Sequence, residues 1–277
     1  MLNIITLMEN MPSENKALLN KHGLSFLIEY NGHRFLFDCG SDKSFLSNAH
    51  RLGISLNNLD GVILNHNHYD HASGFRDFIE HGFPCKKLYL GQDFFDPKLA
   101  SLDNIHFTNL SSGLNEDFIT DHKISVEYCN NCIQIAESAW IVGDFSPTYE
   151  SETIPKRFVR KTNHGMLLDD FHDEICLVLE TKKGLVLIVG CSHPGILNII
   201  SSISQKFRQK IYAIFGGTHL IEADIHRIQN SLQIMKEHGV TVFGLCHCSG
   251  KQTEECIKQT PTLTGCHLAV GDEIYIE

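Results

Sequence analysis

Apolar and polar positions along the chain follow two patterns, which together predict a mixed α/β fold. Short apolar runs bounded by Gly, Asn and Asp predict strands, and Asn31-Gly32 between the first two runs is a strong hairpin signal. Apolar residues that recur every three to four positions predict helices. The predicted strands span 22–30, 34–40, 59–65, 87–90, 175–180, 184–189, 211–215 and 240–245, and the predicted helices span 41–53, a stretch that begins at 75, 194–207 and 224–238.

Between 92 and 162 this regular pattern is lost. Short apolar runs there are separated by Asn, Ser and Asp, and no periodicity persists long enough to assign elements. We therefore assign no elements to 92–162. The 42% hydrophobic content of the 277 residues is sufficient for a large core, either in one α/β domain or in two closely packed halves.

Metal-binding side chains cluster after the predicted strand at 59–65. His66, His68, Asp70 and His71 lie within six residues of one another. In an extended segment, side chains two positions apart leave on the same side, so His66 and His68 can hold one metal ion. Asp70 and His71 follow a turn and could serve a second ion. Imidazole and carboxylate ligands suit zinc, and also iron or manganese.

Three later strands also end in a turn of small residues that carries a histidine. These turns contain His193, His219 and His247, and Cys191 lies beside the first of them. Functional sites of open α/β sheets usually lie at the carboxyl ends of the strands. These side chains are therefore predicted to meet the earlier cluster in one cleft.

Charge and cysteine content exclude several classes of protein. The net charge of −10 disfavours a nucleic-acid partner, which requires clustered Lys and Arg. The start of the chain lacks the basic region of a signal peptide, and no apolar run reaches the roughly 20 residues of a membrane helix, so we expect no membrane partner and a cytoplasmic protein. The ten cysteines have no framework spacing and are expected to be reduced, and Cys129-Asn-Asn-Cys132 is only a weak redox or zinc signal.

Five motifs in the order "HGLSFLIE", "HNHYDHASG", "GCSHPGI", "GGTHL" and "CHCSGK" span nearly the whole chain. In this combination the sequence resembles the dihydropterin synthase-like branch of the metallo-β-lactamase superfamily. The resemblance implies a four-layer αββα sandwich with one or two metal ions between its sheets. It also implies a single domain that spans 1–277, in which 92–162 is an insertion that covers the metal cleft and contacts the substrate.

The resemblance assigns roles residue by residue. His66 and His68 match ligands of the first metal, with His193 as the third ligand and with His164 and His172 as its rivals. Asp70, His71 and His247 match ligands of the second metal. Cys191 stands where many relatives have a bridging Asp, and it is either a ligand or a bystander. Asp38 matches a residue that forms a turn beneath the metals.

The function implied is that of a metal-dependent enzyme acting on a small molecule. Our leading hypothesis from the sequence is hydrolysis of an ester, lactone or phosphate-containing substrate by metal-activated water, with Asp70 and His219 as catalytic residues. The alternative is a transferase that joins a pterin pyrophosphate to an aminobenzene ribotide. A non-catalytic metal-binding module and a di-iron redox protein are the remaining hypotheses. Zinc is the first choice of metal, and the oligomeric state is left open.

Overall fold

The strands of the protein form three sheets in the computed structural model, which describes residues 1–163 and 165–277. Elements are numbered in chain order. The first sheet contains, in spatial order, β18 (Glu273–Ile276), β1 (Leu2–Met8), β2 (Ser25–Tyr30), β3 (His33–Phe37), β4 (Gly61–Ile63), β5 (Leu88–Gly91) and β8 (Val126–Cys129). The second contains β17 (Thr264–His267), β16 (Val242–Leu245), β15 (Ile211–Gly216), β14 (Gly184–Val189), β13 (Cys176–Thr181), β10 (Ala139–Val142) and β9 (Cys132–Ala136). The third contains β12 (Gly165–Leu168), β11 (Phe158–Thr162), β6 (Lys98–Ala100) and β7 (Thr108–Asn109).

The two large sheets repeat the same order of strand directions. In the first sheet the pairs from β18 to β3 are antiparallel and the pairs from β3 to β8 are parallel. In the second sheet the pairs from β9 to β14 are antiparallel and the pairs from β14 to β17 are parallel. Each sheet therefore has a parallel half whose strand ends can present loops to the other sheet.

Helices cover the outer faces of both large sheets. The chain forms α1 (Ser44–Arg51), the short α2 (Tyr69–Ala72), α3 (Gly74–Glu80), α4 (Glu116–Asp121), α5 (Ile196–Phe207), α6 (Ile225–Glu237) and α7 (Lys251–Gln259). Helices α1, α3 and α4 contribute to the apolar cluster on the first sheet, and α5 to α7 contribute to the cluster on the second.

The inner faces of the two sheets pack on each other. Phe26, Phe35, Leu177, Ile188 and Phe215 belong to one buried cluster between the sheets. Burial of each such side chain contributes about 1.5–3 kcal/mol, so this apolar layer is a large favourable term in folding. The predicted four-layer αββα sandwich is confirmed.

Local rules explain most differences between the predicted and observed elements. Helix α1 begins at Ser44 and not at Ser41, because Asp42 Oδ1 accepts the Ser44 backbone N–H at 2.9 Å and so binds a free donor of the first turn. Helix α5 begins after Gly195, whose φ of 99° is not helical. The strands β1, β17 and β18 and helix α7 were not predicted.

The segment predicted as one insertion, 92–162, is divided among all three sheets. Strand β8 completes the first sheet, and β9 and β10 complete the second. Strands β6, β7 and β11, together with β12 beyond the segment, make the third sheet. Only this third sheet departs from the two-sheet framework, and it brings Phe158 to the end of the sandwich where the predicted ligands lie.

Candidate metal centre

The loop after β4 is fixed from both sides by buried carboxylates. Asp38 Oδ1, just after β3, accepts the backbone N–H of Asn65 at 2.7 Å, and Asp173 Oδ2 accepts that of Asn67 at 2.8 Å. His68 is extended and α2 begins directly after it. Hydrogen bonds thus fix the backbones of Asn65 and Asn67, and the side chains of His66 and His68, two positions apart, both point into the centre.

His66, His68 and His193 form one group, which we call the histidine triad. Three ring nitrogens, one from each residue, lie within 4.8 Å of one another. Nε2 of His66, Nε2 of His68 and both ring nitrogens of His193 are buried without a hydrogen-bond partner. Buried polar atoms are rarely left unpaired, and a metal ion would supply the missing partner. The triad thus fits a bound divalent cation.

The protonation state of the triad also suits a metal. Burial lowers the pKa of His66 and of His193 well below the usual value for histidine. Burial likewise lowers the pKa of His68 to about 3. All three rings are therefore neutral at pH 7, which is the form that binds metals. His66 Nδ1 contacts Asn65 Oδ1 at 2.6 Å, which orients the ring.

Asp70, His71, Cys191 and His247 form a second group, which we call the mixed cluster. His71 Nε2 lies 3.1 Å from Cys191 Sγ and 3.2 Å from His247 Nε2. His247 Nε2 lies 3.3 Å from Asp70 Oδ2. A ligand atom of His66 lies within 4.8 Å of those of His71 and Cys191, so the mixed cluster directly adjoins the triad.

Electrostatics in the mixed cluster differ from those in the triad. Burial lowers the pKa of His71, but the charges of Asp38 and Asp70 outweigh it and raise the pKa to about 9. Asp38 Oδ2 lies 2.6 Å from His71 Nδ1. Burial raises the pKa of Asp70, yet His71 and hydrogen bonds from His22 and His247 bring it well below the usual range. The positive charge of His71 thus compensates negative charge of the neighbouring carboxylates of Asp38 and Asp70.

Two neighbours of the mixed cluster were missed by the sequence argument. His22 was assigned no chemistry, but its Nε2 lies 3.0 Å from Asp70 Oδ2. The ligand atoms of Cys248, Cys191 and His247 lie within 4.8 Å of one another. His22 opens the "HGLSFLIE" motif and Cys248 is in "CHCSGK", so the motifs contained the signal.

His219 and the two rival ligands have different positions. The ring of His219 lies 4.5 Å from that of His193, faces the cleft, and has a pKa lowered by burial to about 4. His172 is half exposed and its Nε2 pairs with Asp170 at 3.1 Å, so the structure does not bring it to the triad. His164 lies outside the described residues.

Asp38 and three residues of the strand-end loops around the centre have left-handed backbone conformations. Asp38, Ser192, His219 and His247 have φ values of 57°, 63°, 50° and 55°. Such conformations cost non-glycine residues about 1–3 kcal/mol and concentrate at functional sites. These bends direct the strand-end loops into the centre.

Most of the candidate side chains line one cleft. It has a volume of about 250 Å³ and is lined by Asn10, His22, His68, Tyr69, Asp70, Leu110, Phe158, Cys191, His193, His219, Ile221, Glu222, His247 and Cys248. Leu110 and Phe158 come from the region of the third sheet, and the ring of Phe158 lies 5.2 Å from that of His193. The strand-end histidines thus meet in one place.

A buried lysine supports the residues that position the triad. Lys98 Nζ lies 2.9 Å from Asp169 Oδ1 and 2.6 Å from Asp173 Oδ1. It also lies 4.9 Å from the centre of the Phe171 ring, which stacks on His193 at 4.0 Å. The lysine therefore supports both the loop of His68, through Asp173, and the ring of His193, through Phe171.

The remaining thiols show no second centre. All ten cysteines are free, and burial raises the pKa of Cys129 to about 12. Cys129 ends β8 and Cys132 begins β9, so the CxxC segment connects the two large sheets. Within 1–163 and 165–277, every group of at least three His, Cys, Asp or Glu side chains at metal-binding distance lies at the centre described above.

Comparisons with known proteins agree with this architecture. A model of the metallo-β-lactamase superfamily matches residues 20–108. The chain is 31% identical over 265 residues to the 7,8-dihydropterin-6-methyl-4-(β-D-ribofuranosyl)-aminobenzene-5′-phosphate synthase of Methanocaldococcus jannaschii, a match that covers 91% of this chain and 89% of that protein.

Solved structures show the same fold. Tm1679, a metal-dependent hydrolase of the β-lactamase superfamily, matches with a TM-score of 0.85 and 26% identity over 100% of this chain and 99% of that one. Zn²⁺-bound PqqB from Methylobacterium extorquens shares the fold, with a TM-score of 0.55 and 10% identity over 99% of this chain and 100% of that one.

The chain therefore belongs to the metallo-β-lactamase superfamily, as its motifs predicted. Within that superfamily it is similar to the dihydropterin synthase-like branch over nearly its whole length. No helix in the described part of the chain is long and apolar enough to cross a membrane.

Proposed function

We propose that the protein is a metal-dependent enzyme that joins a pterin diphosphate to an aminobenzene ribotide. The observation that carries this proposal is the 31% identity, over 91% of the chain, to the 7,8-dihydropterin-6-methyl-4-(β-D-ribofuranosyl)-aminobenzene-5′-phosphate synthase. The proposal reverses our first preference from the sequence, which was hydrolysis. The histidine triad with its unpaired nitrogens supports the dependence on a metal.

The proposed reaction is a displacement at carbon. The amine nitrogen of the ribotide forms a bond to the methylene carbon of the pterin, the bond from that carbon to the diphosphate oxygen breaks, and the amine loses a proton. A bound divalent ion supplies positive charge that stabilises the departing diphosphate. Zinc is our first choice because imidazole dominates the ligand set, with manganese and iron as alternatives.

Residues of the chain have distinct proposed roles. His66, His68 and His193 would hold the first ion, and the mixed cluster would hold the second. Asp70 contacts His22 and His247 and lies at the cleft, where its carboxylate can orient the attacking group and accept a proton. His219 lies next to His193 and contacts the substrate. Phe158 and Leu110 limit the access of water to the cleft.

Hydrolysis is the second candidate. It is favoured by the match to Tm1679, a metal-dependent hydrolase, with a TM-score of 0.85. The same side chains serve this reaction if water replaces the amine as nucleophile. The two reactions differ in whether water is excluded from the cleft when a pterin diphosphate is bound.

A product assay separates the two candidates. Metal-loaded protein is incubated with 6-hydroxymethyl-7,8-dihydropterin diphosphate, with and without the aminobenzene ribotide. We expect diphosphate release only when the ribotide is present, together with a coupled product detected by mass spectrometry. Release of diphosphate at the same rate without the ribotide, and without a coupled product, would support hydrolysis instead.

A further inference from the structure

A second chamber adjoins the metal cleft. It has a volume of about 360 Å³, within the range of small-molecule pockets. Its lining includes the apolar side chains of Met11, Ile221 and Cys246. Asn10, Ile221 and His247 line both the chamber and the cleft, so the two spaces adjoin at these residues.

The charged groups of the chamber are already paired with one another. Glu9 Oε2 lies 3.2 Å from His267 Nε2, and Glu254 Oε1 lies 2.8 Å from His267 Nδ1. Two carboxylates thus flank one imidazolium, and Lys251 adds a second cation to the lining. The charges in the chamber balance, so it offers no excess of positive charge to attract an anion.

Hydrogen bonds from Glu9 and Asn10 to His247 also connect the chamber to the candidate metal centre. Glu9 is fully buried, and its Oε1 accepts the backbone N–H of His247 at 3.0 Å. The wall of the chamber therefore positions a residue of the mixed cluster. On the opposite side, a Cβ at Gly250 would lie 2.9 Å from Ile221 Cα, so the backbones there approach closely and keep the space narrow.

From this arrangement we infer that the chamber binds the flat, uncharged ring portion of a substrate whose diphosphate lies at the metal centre. The inference rests on the proposed function and deepens it, because it assigns the two ends of one substrate to two adjoining spaces. Apolar walls favour burial of a ring face, and the cleft with its metal ligands takes the anionic end.

The test compares two probes on the metal-loaded protein by calorimetry. The affinity for inorganic diphosphate measures binding at the metal centre alone. The affinity for 6-hydroxymethyl-7,8-dihydropterin diphosphate measures binding at the centre and the chamber together. We expect the wild-type protein to bind the pterin compound at least tenfold more tightly than inorganic diphosphate. Met11→Trp fills the chamber and should reduce this ratio to within twofold of one, with the affinity for inorganic diphosphate unchanged.

Leu19→Trp is the matched control, because Leu19 and Met11 are both 38% exposed and Leu19 lies outside the chamber lining. It should leave both affinities unchanged. Met11→Ala removes wall contacts with little risk to folding and should lower the affinity for the pterin compound alone, by about threefold to tenfold.

A wild-type ratio near one, or a ratio that neither Met11 variant changes, would overturn the chamber assignment. The product assay tests the proposed function independently of the chamber assignment. If Met11→Trp loses the preference for the pterin compound but the wild type forms no coupled product, the chamber assignment stands and the synthase reaction is contradicted. Failure of the wild type to bind either probe would contradict both.

Discussion

The histidine triad and the mixed cluster adjoin each other but differ in how their polar atoms are satisfied. The rings of the triad are buried and neutral, and His66 Nε2, His68 Nε2 and both ring nitrogens of His193 have no hydrogen-bond partner. In the mixed cluster His71 lies between Asp38, Cys191 and His247, and its pKa of about 9 makes it a cation opposite two carboxylates. The unpaired nitrogens of the triad fit an external cation, whereas the mixed cluster contains its own in His71.

This difference predicts an order of metal binding. An ion that enters the triad removes the cost of several unpaired buried nitrogens. An ion that enters the mixed cluster must displace the proton of His71 and replace existing contacts. We therefore expect the first ion to bind tightly at the triad and the second to bind more weakly at the mixed cluster.

Each group also has its own supporting network. Lys98 stabilises the triad through Asp173 and Phe171. Glu9, paired with His267, stabilises the mixed cluster through the backbone of His247. Substitutions in one network should therefore affect one group more than the other.

Removal of two triad ligands should have the largest effect. His66→Ala combined with His68→Ala leaves a single triad ligand, so turnover should fall at least about a thousandfold. The matched control replaces two exposed histidines, His50 and His106, by Ala and should retain full turnover. Activity of the double triad variant close to that of wild type would refute the role of the triad.

Replacement of Lys98 should affect stability first. Lys98→Met leaves Asp169 and Asp173 buried without a cation, which should lower the free energy of unfolding by about 3–5 kcal/mol. Urea denaturation measures the loss, and Lys258→Met on the exposed face of α7 is the control. Adding Asp169→Asn and Asp173→Asn should recover part of the loss, and a Lys98→Met variant as stable as wild type would contradict this account.

Asp38→Asn should weaken the mixed cluster selectively. The change removes the negative charge 2.6 Å from His71 Nδ1 and keeps an oxygen for the backbone N–H of Asn65. Substitution of such an orienting partner typically costs tenfold to a hundredfold in metal affinity, so the weaker ion should be lost and the tighter one kept. Asp60→Asn, which removes a surface carboxylate near His33, is the control. Equal loss of both ions would show that the two groups are not separable.

His267 should make stability depend on pH. Hydrogen bonds to Glu254 and Glu9 raise its pKa from 6.5 to about 10, so its contribution is fully present below pH 6.5 and is lost as the pH rises toward 10. Because the ring is partly exposed, we expect only about 1–2 kcal/mol. The stability difference between wild type and His267→Gln should shrink between pH 7 and pH 10. A constant difference would exclude this titration.

The sequence predicted the elements that carry the centre because each has a local signal. Strand β14 is a continuous apolar run, α5 repeats apolar residues with helical spacing, and the turn between them contains Cys191 and His193. The convergence of His193, His219 and His247 followed from a topological rule, since the parallel strands of a sheet end at one edge.

Other features depend on contacts between distant parts of the chain. Strands β1 and β18 pair the two ends of the chain, and periodicity within either segment does not reveal that pairing. His22 is joined to Asp70 across 48 residues of sequence, and Lys98 is joined to Asp169 across 71. The position of His172 ahead of the strand that leads to Cys191, where the superfamily often places the third ligand, was a misleading signal, because His172 pairs with Asp170 at the surface.

A zinc titration of metal-free protein tests the central claim most directly. The bound ions per chain and their affinities are measured for the wild type, for His71→Ala, and for His66→Ala combined with His68→Ala. We predict two ions in the wild type, loss of only the weaker ion in His71→Ala, and loss of the tighter ion in the double variant. Retention of the tight ion in the double variant would contradict the assignment of the first metal to the histidine triad.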